Sequence, residues 1–142
     1  MLIKAPEPND ASRQSGRDAD EGLSTRLLDR PDDPSVDAEV WEAVRRHSET
    51  ASIFQTQAWH RAWWDTFGTE VRSRCVLVSR GGQPLGIAPF CADPREPGLV
   101  RFISDSRADY CDLVAAADDK LAVLTGAFAV LEEIGWEMLE LN

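Results

Sequence analysis

The chain has 142 residues, a net charge of −10 and 43% hydrophobic residues. That acidic balance excludes a nucleic-acid binder, because neutralising phosphates needs a basic face and here the arginines are interspersed with more numerous Asp and Glu. The three cysteines, Cys75, Cys91 and Cys111, form no CxxC pair and stand apart from His47 and His60, which excludes a disulfide framework and a recognisable metal site.

Residues 1–22 mix Pro, Ser, Gly and charge without apolar periodicity. Such a segment cannot bury enough surface to offset its ordering entropy, so it is predicted to be a disordered acidic tail. Residues 23–142 form the second unit, a domain large enough to bury roughly two-thirds of its unfolded surface around one core. Leu23 to Leu28 reads as a short first strand. The segment DDPSVDAEVWEAVRRHS then predicts a helix, capped by Asp33 with Pro34 at its first position or by Ser35, with Val40, Trp41 and Val44 as its buried stripe. Arg45, Arg46 and His47 in its last turn suit the negative end of the helix dipole.

In ASIFQTQAWHRAWWDTFG, Ile53 and Phe54 are expected to plug the core, Thr56 to cap a second helix and Gly68 to close it. Trp59, Ala62, Trp63 and Phe67 fall on one face of that helix, with Trp64 on its flank. The pattern next changes to period two. Arg74 to Ser79 and Pro84 to Cys91 flank Gly81-Gly82, a strong hairpin signal, and Pro89 marks an edge, a bulge or the strand's departure from its neighbour. Leu99 to Ile103 and Tyr110 to Val114 are two further strands around the polar loop SDSRAD. Asp118 caps a helix to about Ile134, apolar on nearly every side, and Gly135 ends it. Trp136 to Leu141 is a last strand, for which no later strand exists as a partner. This order is α/β or α+β with a mixed sheet.

No apolar run is long enough for a signal peptide or a membrane span; the longest, Leu121 to Leu131, covers about half a bilayer. With three thiols expected to be buried and reduced, the sequence reads as a cytoplasmic protein.

Three segments, FQTQAWHRAWWDTFG, CVLVSRGGQPLGIAPF and RFISDSRADYCDLV, resemble in order and spacing the N-terminal half of the CelD/BcsL-type acetyltransferases. That group is a GNAT branch associated with cellulose and exopolysaccharide biosynthesis and related to the FemABX aminoacyltransferases. The residues that carry the resemblance include Phe54, Gln55, Thr56, Trp59, Gly86, Pro89, Arg101, Phe102, Asp109, Tyr110 and Asp112. One departure is that Ser104 stands in a turn where the family usually has Gly. The resemblance implies a GNAT-like mixed, mainly antiparallel sheet flanked by helices. It implies an N-acyltransferase with acyl-CoA, such as acetyl-CoA, as donor and an envelope or glycan precursor as acceptor.

The chain lacks the loop that such an enzyme uses for the cofactor. Backbone N–H groups of a Gly-rich turn before a helix cradle the pyrophosphate, and no segment here has that pattern. The helix starting at Asp118 follows AAAD, and Asp118 and Asp119 would repel a pyrophosphate. The expectation is therefore a truncated, incomplete GNAT-like unit, inactive alone, whose acyl-CoA is bound by a second GNAT-like domain or subunit downstream. Asp109, Tyr110 and Asp112 are the candidate acceptor-binding residues: paired carboxylates bind an amine or sugar hydroxyl, and a carboxylate can serve as a general base. His60 reads as a surface or half-buried histidine, and the Trp59 stripe as core rather than a sugar-stacking platform. The alternatives are a non-catalytic binding or scaffold module, or a truncated gene product.

Overall fold

The computed structural model describes residues 1–6, 22–50, 52–108 and 110–141. Strand β1 (Leu2–Lys4) is antiparallel to residues near the far end of the chain, Leu2 facing Glu140 and Lys4 facing Met138. The start of the chain is thus ordered sheet where disorder was expected over 1–22, because a remote partner supplies the backbone hydrogen bonds. Residues 7–21 of that expected tail lie outside the described residues.

Strand β2 (Leu23–Leu28) matches its prediction residue for residue. Helix α1 (Ala38–Arg45) starts later than expected. Asp37, not Asp33 or Ser35, caps it by accepting from the Val40 N–H at 2.9 Å. Asp33 is engaged instead in a tight turn, accepting from the Ser35 N–H and hydroxyl at 2.9 and 2.6 Å. Val36 just before the cap and Trp41 one turn inside are both buried, an apolar clasp that fixes how the chain enters the helix.

Helix α2 (Gln57–Phe67) is capped by Thr56 as expected, through the Trp59 N–H at 3.2 Å. Its buried residue is His60, while Trp59 is half-buried and Trp63 and Trp64 pack partly buried against the core. The central aromatic anchor is Trp41, with no exposed surface, rather than Trp59. Ile53 is 67% exposed and Phe54 only half-buried; the polar Gln55 fills the position expected for them.

Strand β3 (Arg72–Ser73) precedes the β4 (Cys75–Arg80) and β5 (Gln83–Ala88) hairpin. Gly81 and Gly82 turn it with φ of 56° and 79°, the left-handed pair a two-residue hairpin requires. Pro89 then moves the chain to another sheet, where β6 (Phe90–Ala92) pairs with β7 (Leu99–Phe102). Strand β8 (Val114–Ala115) begins later than the predicted Tyr110 to Val114, and Asp112 of that stretch is engaged through its side chain by Thr50 and Lys120. Helix α3 (Lys120–Ile134) opens after a 3₁₀ turn at Ala117–Asp119, without the side-chain cap expected from Asp118. Gly135 ends it at φ 84°, and β9 (Met138–Glu140) follows.

One sheet has the order β2-β4-β5-β8, antiparallel throughout; the other has the order β1-β9-β7-β6-β3, with only β7 and β9 parallel. β9 therefore lies between two strands, and the unpaired edge expected of it is closed by β1. Along β4, Val76 and Val78 face the α3 side with Val123, Ala127 and Leu131, and Val100, Phe102 and Leu139 of the second sheet complete that cluster. Cys75 faces the other side with Ile87, Trp41, Val44 and Ile103. No described helix is long and apolar enough to cross a membrane.

Candidate functional site

The segment between β7 and β8 gathers the residues that sequence reasoning singled out. It begins at Ser104, which is buried and left-handed at φ 69° and ψ 8°. A side chain with a Cβ rarely adopts that conformation. The turn thus has the backbone geometry that glycine favours. The Ser104 hydroxyl accepts a hydrogen bond from Trp59 Nε1 at 3.0 Å, and Trp59 in turn stacks edge-on against Phe54 at 4.9 Å.

The far end of the segment is held by a polar cluster. Asp112 Oδ2 accepts from the Thr50 hydroxyl at 2.9 Å and from Lys120 Nζ at 2.5 Å, and Oδ1 accepts from the Leu113 N–H at 2.7 Å. Thr50 is also reached by Gln55 Nε2 at 3.1 Å, and the same amide donates to the Leu113 carbonyl at 3.3 Å. Ser48 donates to Gln55 Oε1 at 3.4 Å, and Trp41 Nε1 donates to the Gln55 carbonyl at 2.8 Å. Gln55 is therefore the hub that ties α1, α2 and the β7–β8 segment together. Sequence reasoning has Gln55 only as part of the family pattern and gives it no role, because its partners lie in distant segments. Two of the segments noted above, around Gln55 and around Asp112, meet at this point.

Of the candidate residues, Asp112 is half-buried and lines a cavity of about 280 Å³ with Phe102, Cys111, Leu113, Leu124 and Leu141. Tyr110 is 54% exposed and is not among its lining residues, and Asp109 lies outside the described residues. The cavity sits where β7 and β8 belong to different sheets. Its walls are mostly apolar, with one carboxylate and one thiol. Burial pushes the Cys111 thiol up to about 11, with Asp105 adding to the shift and the Ser104 hydroxyl opposing it. Burial likewise raises Cys91 to about 12 and Cys75 further, so all three thiols are protonated and unreactive at neutral pH.

His60, expected near the surface, is almost fully enclosed: Nδ1 lies 2.9 Å from the Thr56 carbonyl, and its ring is 5.2 Å from that of Trp41. Burial lowers its pKa to about 4, so it is neutral at pH 7 and has no route to a substrate proton. Among the described residues, no group of three or more His, Cys, Asp or Glu could hold a metal ion.

The helix starts do not suit a nucleotide pyrophosphate. α1, α2 and α3 follow DDPSVD, ASIFQT and AAADD, none of them Gly-rich, and Asp118 and Asp119 carry negative charge at the start of α3. None of these three helix starts has the Gly-rich turn that brings backbone N–H groups close to a pyrophosphate.

No protein-family model and no curated protein matches the chain. A solved structure does: the C-terminal domain (DUF2156) of an Agrobacterium fabrum protein assigned as a lysylphosphatidylglycerol synthetase. The likeness has a TM-score of 0.56 at 13% identity and covers 99% of this chain. The chain spans 45% of the length of that structure. The fold is mixed α+β with mainly antiparallel sheets flanked by helices, which is consistent with the GNAT-like arrangement expected from the sequence.

Proposed function

We propose that residues 23–142 are the N-terminal, GNAT-like part of a cytoplasmic N-acyltransferase acting on an envelope- or polysaccharide-related acceptor, of the CelD/BcsL type and related to FemABX enzymes. The observation that carries this reading is the GNAT-like fold, shared over 99% of this chain with a protein in which it fills only 45% of the length. More than half of that chain lies outside the matched region, which leaves room for a second unit. We assign the acyl-CoA of this reaction to such a second GNAT-like domain or subunit, because the helix starts here do not fit its pyrophosphate. That neighbour is named as a synthetase of a lysyl-modified phospholipid, which is compatible with an envelope-related acceptor.

In this reading the chain supplies a wall of the acceptor cleft, with Asp109, Tyr110 and Asp112 along it. Asp112 does not act as a free base, since Lys120 and Thr50 occupy Oδ2. It positions the β7–β8 segment, and the cavity beside it receives the apolar part of an acceptor. The engagement of Asp112 also favours a second reading, a non-catalytic binding module in which the same cavity docks a ligand.

Calorimetric titration of the chain with acetyl-CoA tests the assignment of the cofactor. No saturable heat is expected, and saturable micromolar binding would place the cofactor on this unit and overturn it. In an active longer protein, Asp112→Asn is expected to lower kcat/KM about tenfold or more by misplacing the acceptor wall. Full activity in that variant would leave the non-catalytic reading standing.

A further inference from the structure

A separate cavity of about 150 Å³ lies between the end of α2 and the β6–β7 pair. Trp63 and Phe67 line it from α2, Cys91 and Arg101 from registered positions on β6 and β7, and Arg107 from the turn after β7. It is lined by neither Asp112 nor Tyr110.

Five buried side-chain polar atoms among the described residues have no hydrogen-bond partner. Two of them, Trp63 Nε1 and Arg101 Nε, belong to residues lining this one cavity. A buried N–H left unpaired is destabilising, so two of them on residues lining one small space call for an acceptor there. The second guanidinium, Arg107, is held on the wall with its central carbon 4.1 Å from the centre of the Phe67 ring.

The acidic residues nearby are largely committed elsewhere. Asp93 is gripped by Arg95, with Nη2 to Oδ2 at 2.6 Å, Nε to Oδ1 at 3.0 Å and the backbone N–H to Oδ1 at 2.8 Å. These contacts hold the Asp93 carboxyl at about 2. Glu70 is the other carboxylate of the lining, and its charge adds a little to that of Asp93 in raising the Arg95 pKa. Glu140 approaches the same guanidinium edge at Arg101 Nη2, but at 4.0 Å it is beyond hydrogen-bond distance and leaves Nε unpaired.

We propose that this cavity binds a phosphate group. The Trp63 indole N–H from α2 and the Arg101 guanidinium from β7 reach this space from two different elements, a spread that suits the tetrahedral oxygens of a phosphate monoester better than the two coplanar oxygens of a carboxylate. The volume lies below the few hundred Å³ of a pocket for a whole drug-sized ligand. It therefore takes the phosphate of a ligand whose body extends outside.

The test is calorimetric titration of the full chain with inorganic phosphate, and in parallel with acetate, at fixed ionic strength. Saturable binding of phosphate at one site is expected, with acetate about tenfold weaker or more. Arg101→Gln and Trp63→Phe should each weaken phosphate about tenfold, the second while keeping an aromatic ring in place. Arg61→Gln, exposed on α2 and outside the lining, should leave it unchanged. Circular-dichroism melts confirm that each variant is folded; if Arg101→Gln is not, Trp63→Phe carries the test. Absence of saturable phosphate binding, acetate binding as tight as phosphate, or phosphate affinity unmoved in the folded variants would overturn the proposal.

Discussion

The two faces of the β2-β4-β5-β8 sheet are packed by different chemistry. On the α3 face the fit is one of shape. Gly86 and Gly126 let the helix approach so closely that a Cβ on Gly86 would lie 2.5 Å from Val123 Cγ2, and one on Gly126 would lie 2.9 Å from Val78. On the α1–α2 face the fit depends on a buried polar hub, in which Trp41, Gln55, Thr50 and Asp112 are joined by hydrogen bonds and His60 is packed beside them. The first face needs only complementary volumes and tolerates changes that preserve them. The second also fixes the position of the β7–β8 segment, because losing one partner strands others without solvent. The candidate cleft is anchored by the second kind of packing.

Breaking the hub should produce the largest effect. Trp41→Ala removes a fully buried ring and leaves the Gln55 carbonyl without its 2.8 Å donor. A loss of about 3–5 kcal/mol is expected from the cavity alone, enough to unfold a marginal domain. Trp41→Phe keeps most of the volume and isolates the hydrogen bond, so chemical denaturation of the two variants separates packing from polar contact.

The pH dependence should belong to the same face. The pKa of His60 is lowered from 6.5 to about 4 in the folded chain. The unfolded chain therefore binds a proton between those values that the folded chain does not. Above pH 6.5 neither state is charged there and the residue brings no penalty. As pH falls from 6.5 to 4 stability is lost, by at most about 3 kcal/mol, and below 4 the loss levels off. Urea midpoints of the wild type and His60→Gln, taken from pH 7 to pH 4, should diverge in that window. Parallel curves would mean the ring is accessible to protons in the fold.

On the α3 face, Gly86→Ala sharpens the comparison. Its new Cβ would meet Val123 Cγ2 at 2.5 Å, Ala115 Cβ at 2.8 Å and the Val114 carbonyl oxygen at 2.9 Å. The backbone atom cannot turn aside, so a loss of about 1–3 kcal/mol is expected in thermal melts. Because the strain is steric, it should be the same at pH 7 and pH 5, unlike the loss at His60.

What the sequence disclosed follows the same division. Elements fixed by local period and turn chemistry were legible: β2, the Gly81-Gly82 hairpin, the exit at Pro89 and the glycine end of α3. Elements fixed by remote partners were not. Leu2–Lys4 looks like part of a polar tail until Met138–Glu140 is beside it. The α1 start reads at Asp33 or Ser35 in the sequence, whereas the cap is Asp37, set by the Val36–Trp41 clasp. Periodicity puts the Trp59, Trp63 and Phe67 stripe of α2 in the core, whereas the buried residue of that helix is His60. Within the candidate site, Asp112 was legible as a residue, whereas its partners Thr50 and Lys120 and the hub at Gln55 emerge only when distant segments meet.

The smallest expected effect lies at Ser104, where the two requirements of the site can be separated. Its left-handed backbone costs a residue with a Cβ about 1 kcal/mol, and its hydroxyl accepts from Trp59 Nε1 at 3.0 Å in a buried position. Ser104→Ala keeps the strain and strands the indole N–H, so about 1–2 kcal/mol of stability should be lost. Ser104→Gly also removes the acceptor but relieves the strain, at the cost of a more flexible unfolded chain. It should therefore lie between the wild type and Ser104→Ala, about 0.5–1 kcal/mol below the former. Equal losses in the two variants, measured by urea denaturation at pH 7, would show that the hydrogen bond alone matters and that the turn bears no strain. A glycine variant as stable as the wild type would show that the strain and the hydrogen bond cancel, with the serine kept for where it holds Trp59.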